Sequence, residues 1–286
     1  MGKKKKILSQ EYLANTKGKG LNESTPTLRF WAGAVVAASV LGILFAIAIV
    51  AFTFVFFLSP VDGTSMMKAL NATGENTDSV IVNRYYEADY GDIIVVKMYY
   101  NYEVERASKD KNGYYIYIIK RLIAKAGDTI SMERELKSNL AKATVSTDYN
   151  YYILRNGERL NEDYLSMEVA HPSSINFITL YYALNPDINN RIFPAGWTTE
   201  MRECVSNDGV LTIPDGYWFF MGDNRGGNWE KYRNSYDCSA FGPQPVEYYV
   251  GAEKDVLPNG EKISHYFWTK AQYYVLFGWA FGYGRS

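Results

Sequence analysis

Hydrophobic and polar positions divide the chain into regions of different character. From Phe30 to Val61, "FWAGAVVAASVLGILFAIAIVAFTFVFFLSPV", no charged residue occurs. About 20 apolar residues suffice to cross a bilayer as a helix, so this run is long enough to span one. Pro60 and Gly63 are the residues expected to stop it. A cleaved secretory leader would have a shorter apolar core, so residues 30–59 read as a permanent anchor. Behind the anchor, short apolar or alternating runs recur between turn residues: "SVIVNRYY", "DIIVVKMYY", "GYYIYIIKRLIAKAG" and "GVLTIPDGYWFFMGD". Their β-branched and aromatic content and their Gly, Asp and Asn punctuation predict strands. Helical periodicity is expected first in "NEDYLSMEV", residues 161–169. The more polar residues 132–209 read as an inserted cap region between two better-patterned strand groups, 60–131 and 210–286. The closing "YFWTKAQYYVLFGWAFGYGRS" is interrupted by Gly, Lys and Gln. It reads as a strand with aromatic contact to a lipid interface rather than a second span. The expected fold is therefore mostly β, with an inserted second region, behind one N-terminal transmembrane helix.

Charge gives that arrangement a direction. Lys3, Lys4, Lys5, Lys6, Lys17, Lys19 and Arg29 precede the apolar run, against only Glu11 and Glu23. Asp62, Lys68, Glu75 and Asp78 follow it without positive excess. Positive flanks stay inside, so residues 1–29 are expected as a cytoplasmic basic tail, with the rest on the extracytoplasmic face of the cell membrane. The lysine run also suits anionic lipid, making the bilayer an expected partner. "MGKKKK" is not a myristoylation match, because the sixth residue is Lys. A formal net charge of −1 over 286 residues gives no reason to expect a nucleic-acid partner. The 25 Tyr, 14 Phe and 6 Trp favour strands and wet-edged apolar surfaces. Cys204, Cys238, His171 and His265 lack metal-ligand spacing, so no metal site is expected. Whether the two cysteines pair is left open.

Three stretches carry the candidate chemistry: "GTSMMKAL" at 63–70, "YIIKRLIAKAGD" at 117–128, and "MGDNRGGNWEKYRNSYDCSAFGP" at 221–243. Alone, each has a plain reading. Ser65 is then a loop serine, Lys120 a strand lysine snorkelling to water, and Asp223-Asn224 an ordinary turn. Together they supply a hydroxyl and a base. A serine is a poor nucleophile until a neighbour accepts its proton. A lysine, with an ordinary pKa of ~10.4, does so only when neutral. Lowering that pKa to ~7–8 by burial costs roughly 4 kcal/mol at about 1.36 kcal/mol per pKa unit. Tyr117, Ile118, Ile119, Leu122 and Ile123 offer a low-dielectric bed for it.

These stretches, with "YGDIIVVK" between the first and second of them, resemble type I signal peptidases, the membrane-anchored Ser–Lys peptidases that remove signal peptides from exported proteins. The family's boxes read approximately G-x-S-M-x-P-T-L, Y-I-K-R-V-I-G-x-P-G-D and G-D-N-x-x-x-S-x-D-S-R-x-x-G. The resemblance covers roughly residues 30–130 and 210–250, in the family's order. It implies an antiparallel β catalytic domain, signal-peptide-bearing preproteins as partners, cleavage after small residues, and no cofactor. Position by position, it implies Ser65 as nucleophile, Lys120 as general base and Ser235 as the hydroxyl orienting the lysine. It also implies a bracing Arg121–Asp223 ion pair, and Met66 as a wall near the substrate's small side chains. The Ser65 backbone N–H is the implied oxyanion donor. Some members add a serine hydroxyl two residues earlier, where this chain has Gly63. A lysine base resembles bacterial members, and the short basic N-terminus before one anchor resembles Gram-positive ones. Departures are Lys68-Ala69 for Pro-Thr, "AKAGD" for G-x-P-G-D, and Cys238-Ser239 for Ser-Arg. The last leaves Asp237 without its usual arginine, for which Arg225 and Arg233 are the candidate replacements. The competing reading is a membrane-tethered, non-catalytic binding or assembly protein on the same fold. A soluble self-cleaving Ser–Lys regulator would carry a DNA-binding domain instead of an anchor. A Ser-His-Asp enzyme would need a better-placed histidine.

Overall fold

A computed structural model of the chain describes residues 26–67, 69–71, 77–101, 106–107, 114–165, 175–188, 191–225 and 235–258. The basic tail up to residue 25, Lys68, His171, Arg233, His265 and the aromatic C-terminal stretch lie outside the described residues. Two compact units divide at Phe54 and Val55.

The first unit contains helix α1 (Pro26–Val55). Its segment Arg29–Val55 has a mean hydropathy of 2.8 and is long and apolar enough to cross a membrane. Leu41, Phe45 and Phe54 are exposed along it. The hydroxyls of Ser39 and Thr53 donate to Val35 O and Val50 O, so neither is left to seek water. The helix ends earlier than the proline and glycine suggested. Phe56–Pro60 forms strand β1, paired antiparallel from Phe56↔Asn83 to Pro60↔Ser79. Aromatic residues suit a half-buried pleated surface, and Phe57 also lies beneath the Arg84 guanidinium at 4.3 Å. Backbone pairing to the neighbouring strand outweighs continuation of the helix.

The second unit is built on a seven-stranded antiparallel sheet. Its order is β1, β2 (Ser79–Asn83), β13 (Tyr249–Leu257), β3 (Ile93–Lys97), β6 (Tyr117–Ala124), β11 (Tyr217–Met221) and β12 (Gln244–Pro245). A smaller antiparallel sheet runs β10 (Leu211–Thr212), β7 (Thr129–Leu136), β8 (Tyr149–Arg155) and β9 (Glu158–Arg159). A short ribbon joins β4 (Tyr99–Asn101) to β5 (Arg106–Ala107). Helices α2 (Ile175–Ala183), α3 (Thr199–Glu203) and α4 (Cys238–Phe241), with short 3-10 turns at Ser146–Asp148 and Val246–Tyr248, complete the described elements. The expectation of a mostly antiparallel β fold holds.

Strand β6 is central because its sequence is apolar on both sides of the pleat. It lies between β3 and β11, and Lys120 through Ala124 are all buried. Its turn into β7 is closed by Asp128, which accepts from Lys125 N at 2.8 Å and from Asn156 Nδ2 at 2.8 Å. Gly127 supplies the positive φ of +84° that this turn requires.

The inserted region is more integrated than its polarity suggested. Its Tyr151, Ile153, Phe177, Leu180 and Trp197 pack in the same core cluster as Ile94, Leu122 and Phe219 of the large sheet. The polar residues face outward, and the apolar ones recur at strand and helix spacing that average composition hides. The helix expected at 161–169 is absent from the described part of that stretch, which forms turns through Leu165. Short polar side chains there bond locally, with Asn161 Nδ2 donating to Asp163 Oδ2 at 2.7 Å. The helix falls instead at α2.

Strands β13 and β2 approach closely at Gly251. A Cβ there would lie 2.5 Å from Asn83 O and 2.7 Å from Val82 Cγ1. Gly251→Ala is therefore expected to lower stability by about 1–3 kcal/mol, read as a shifted denaturant midpoint with unchanged m-value.

Candidate active site

Successive residues of a strand point to opposite faces, so Lys120 and Arg121 leave β6 in different directions. Lys120 stands opposite Ile94 on β3, with Leu122 two residues along the same face. It is 3% exposed. Its Nζ donates to Ser65 Oγ at 2.8 Å and to Ile119 O at 3.0 Å. Loss of hydration lowers the Lys120 pKa to about 8, against the opposing pull of Asp237, Asp223 and Cys238.

Arg121 makes the expected ion pair. Nε donates to Asp223 Oδ1 at 2.8 Å and Nη2 to Oδ2 at 2.5 Å, while Nη1 donates to Gly91 O at 2.6 Å. Asp223 is completely buried. Burial alone would lower the arginine pKa, but the bonds and charge of Asp223 outweigh it and raise it. This fork-to-fork geometry fixes the loop after β11 against β6.

That loop in turn holds the serine. Asn224 N donates to Ser65 O at 2.9 Å, and Asn224 Nδ2 donates to Thr64 O at 3.1 Å. Gly222 passes so close that a Cβ would lie 2.5 Å from Ser65 O and would also strike Ser235 Oγ. Gly63 enters the serine turn at φ +86°, and its missing side chain leaves open space. Among the described residues, the Ser65 backbone N–H has no acceptor.

Met66, expected as a wall toward substrate, is 1% exposed and packs with Val61, Leu70, Val80 and Val82 in a second apolar cluster. The turn after Ser65 folds it inward, where its apolar surface is worth more than at an open cleft. Ser235 is 4% exposed and next to Gly222, but its Oγ bonds neither Lys120 nor any other described group. Among the described residues, no arginine pairs with Asp237. It accepts from Gly222 N at 2.8 Å, Ser239 N at 3.0 Å and Ser239 Oγ at 2.7 Å, and so caps α4. Ser239, at the position of the family arginine, thus supplies part of its bonding. Arg225 turns instead to Glu162, at 2.5 Å. Cys204 and Cys238 are free thiols, and burial pushes the Cys238 pKa well up. Among the described residues, no group of three or more His, Cys, Asp or Glu could hold a metal ion.

Sequence reasoning missed Asn224 as the clasp on the serine turn, and Glu162 and Tyr164 as partners of the two arginines. Asn224 stood in the quoted Gly-Asp-Asn box. Glu162 and Tyr164 fell in the stretch read as a helix, where nothing local marks a distant contact.

An amine stripped of water beside a serine hydroxyl, on an antiparallel β scaffold, is the atomic arrangement that peptidases of the serine–lysine class use. The chain belongs to the signal peptidase family, peptidase S26, whose sequence model matches residues 34–257. It is 28% identical over 211 residues to signal peptidase I S of Bacillus subtilis (strain 168), covering 72% of this chain and 76% of that one. A crystal structure of a signal peptidase I from Enterococcus faecalis V583 is similar at 18% identity, covering 58% of this chain and 97% of that one, with a TM-score of 0.27.

Two outcomes follow from the buried charges. Arg121→Met leaves a fully buried carboxylate without its partner, and is expected to cost about 3–5 kcal/mol in chemical denaturation. Lys120 holds its proton less tightly in the folded chain, at about 8, than at its ordinary 10.5. Between those values the unfolded chain binds more protons, so this residue's contribution to stability rises with pH. Lys120→Met is therefore expected to be more stable than wild type by about 3 kcal/mol at pH 7. Taking the difference between the two proteins cancels the titrating groups that do not interact with Lys120. The gap should narrow as pH rises from 8 toward 10.5.

Proposed function

We propose that the chain is a membrane-anchored serine endopeptidase that removes signal peptides from exported preproteins, with Ser65 as nucleophile and Lys120 as general base. The observation that carries the proposal is the 2.8 Å contact between Lys120 Nζ and Ser65 Oγ at a buried amine. In its neutral form the amine accepts the Ser65 proton as Oγ attacks the scissile carbonyl. The Ser65 N–H, free of any described acceptor, receives the developing oxyanion. Collapse of the tetrahedral intermediate breaks the peptide bond, and the protonated lysine returns its proton to the departing amine of the mature protein. Lys120 then draws a proton from water as that water attacks the acyl-enzyme, and returns it to Ser65 Oγ as the ester bond breaks and the carboxylic acid product leaves.

Arg121, Asp223 and Asp237 support this pair by fixing the strand and loop around it. Ser235 is proposed to turn its buried hydroxyl to the lysine when substrate is bound, giving that oxygen the partner it lacks. The apolar helix at Arg29–Val55 serves as the anchor. The basic tail is cytoplasmic and the β-rich unit lies on the extracytoplasmic face of the cell membrane. Neither a metal nor an organic cofactor enters these steps.

The test is cleavage of a preprotein by the full-length chain in detergent or lipid, beside Ser65→Ala and Lys120→Ala. Both variants are expected to lose at least about 10³-fold in kcat/KM. In wild type, kcat/KM is expected to rise about tenfold per pH unit below the lysine pKa of about 8 and level off above it. A folded wild type that leaves several preproteins uncut would favour the binding or assembly reading instead.

A further inference from the structure

The inserted region meets the buried ion pair at Tyr164, a turn residue after β9. The Tyr164 ring lies across the Arg121 guanidinium, 4.0 Å from Cζ to the ring centroid. Its hydroxyl donates to Glu162 Oε1 at 2.6 Å. Glu162 receives both ends of the Arg225 fork, Nη1 at 2.8 Å to Oε2 and Nη2 at 2.5 Å to Oε1. Arg225 also donates from Nε to Gly222 O at 3.3 Å. Its side chain is 2% exposed and that of Glu162 is 12% exposed. Two arginines that bracket the Gly222–Asn224 loop are thus held by two side chains of the insertion.

Removing that hold has a directed consequence. Without Glu162, Arg225 becomes a buried guanidinium with no carboxylate bonded to it, an expensive state. Asp223 already attracts it electrostatically and is the carboxylate to which it would turn. Arg225 would then compete with Arg121 for Asp223, next to the Asn224 that bonds Ser65 O and Thr64 O. Without the Tyr164 ring, one face of Arg121 opens to water and the pairing weakens from the other side. Either change moves Ser65 relative to Lys120.

We infer that Glu162 and Tyr164 are positioning residues of the hydrolytic site. They hold Arg225 and Arg121 apart, so that Asp223 and Asn224 keep the serine hydroxyl on the lysine amine. This rests on the Ser65–Lys120 reading proposed above. Neither residue touches the dyad, so their loss acts on the chemical step and leaves substrate affinity largely intact.

The experiment compares preprotein cleavage by the full-length chain in detergent with that of Glu162→Gln, Glu162→Asp, Tyr164→Phe and Tyr164→Leu. Ser65→Ala is run alongside, and thermal unfolding is recorded for each. Small displacements of reacting groups cost up to about 10²-fold. Glu162→Gln and Tyr164→Leu are expected to lose roughly tenfold or more in kcat, with KM within about twofold. Glu162→Asp, which keeps the charge, should recover most of the lost kcat, and Tyr164→Phe, which keeps the ring, should lose only a few-fold. Wild-type kcat in Glu162→Gln or Tyr164→Leu overturns the inference, as does a loss confined to KM. If Glu162→Gln unfolds, the contrast between Tyr164→Phe and Tyr164→Leu decides, and equal kcat in those two overturns it. A dead Ser65→Ala beside unaffected clamp variants rejects the positioning role alone, whereas an active Ser65→Ala rejects the dyad and the inference with it.

Discussion

Removing a lysine amine from water constrains everything around it. The amine cannot be left bare, so it takes Ser65 Oγ and Ile119 O as partners. It cannot reside on an edge strand, where water would reach it, so it occupies a central one with strands on both sides. It also cannot be surrounded by unneutralised carboxylates, because each would restore the proton that burial removes. Asp223 is accordingly tied to Arg121, and Asp237 spends its oxygens on a helix cap and a glycine amide.

The serine is held differently. Ser65 lies on a turn and not in a regular element, and turns are poorly fixed by their own hydrogen bonds. Here the neighbouring loop supplies what is missing, with backbone and side-chain bonds from Asn224 and the bare approach of Gly222. Met66 adds an apolar anchor directly after the serine. The site is thus a rigid strand lysine facing a serine turn fastened by a second loop, with the insertion bearing on that loop from outside.

Much of this was legible in the sequence. The apolar helix is written as an uncharged run, β6 as "YIIKRLIA", and Arg121 and Asp223 in their boxes. What was not legible shares one physical cause, that the deciding contact lies far away in the chain. Phe56–Pro60 becomes a strand only because β2 offers it partners. Met66 looks like a site residue by adjacency, but turns inward because an apolar cluster awaits it. Residues 161–165 have helical spacing, yet Glu162 and Tyr164 are taken up by arginines about 60 and 40 residues distant, respectively. Arg225 was recognised as a candidate partner for Asp237, and only the fold could show that Glu162 reaches it first.

The span of these contacts also bears on when the site comes into being. Asn224 and Thr64 are 160 residues apart, and Arg121 and Asp223 are 102 apart. Loops of that size close late in folding, after the local hairpins have formed. A chain still emerging from the ribosome already carries Ser65 and Lys120, but has no clasp on the serine and no counter-ion on the strand. The geometry of the site therefore arrives as a property of the finished domain. That delay is set by the topology of the fold, in which residues far apart in sequence complete one site.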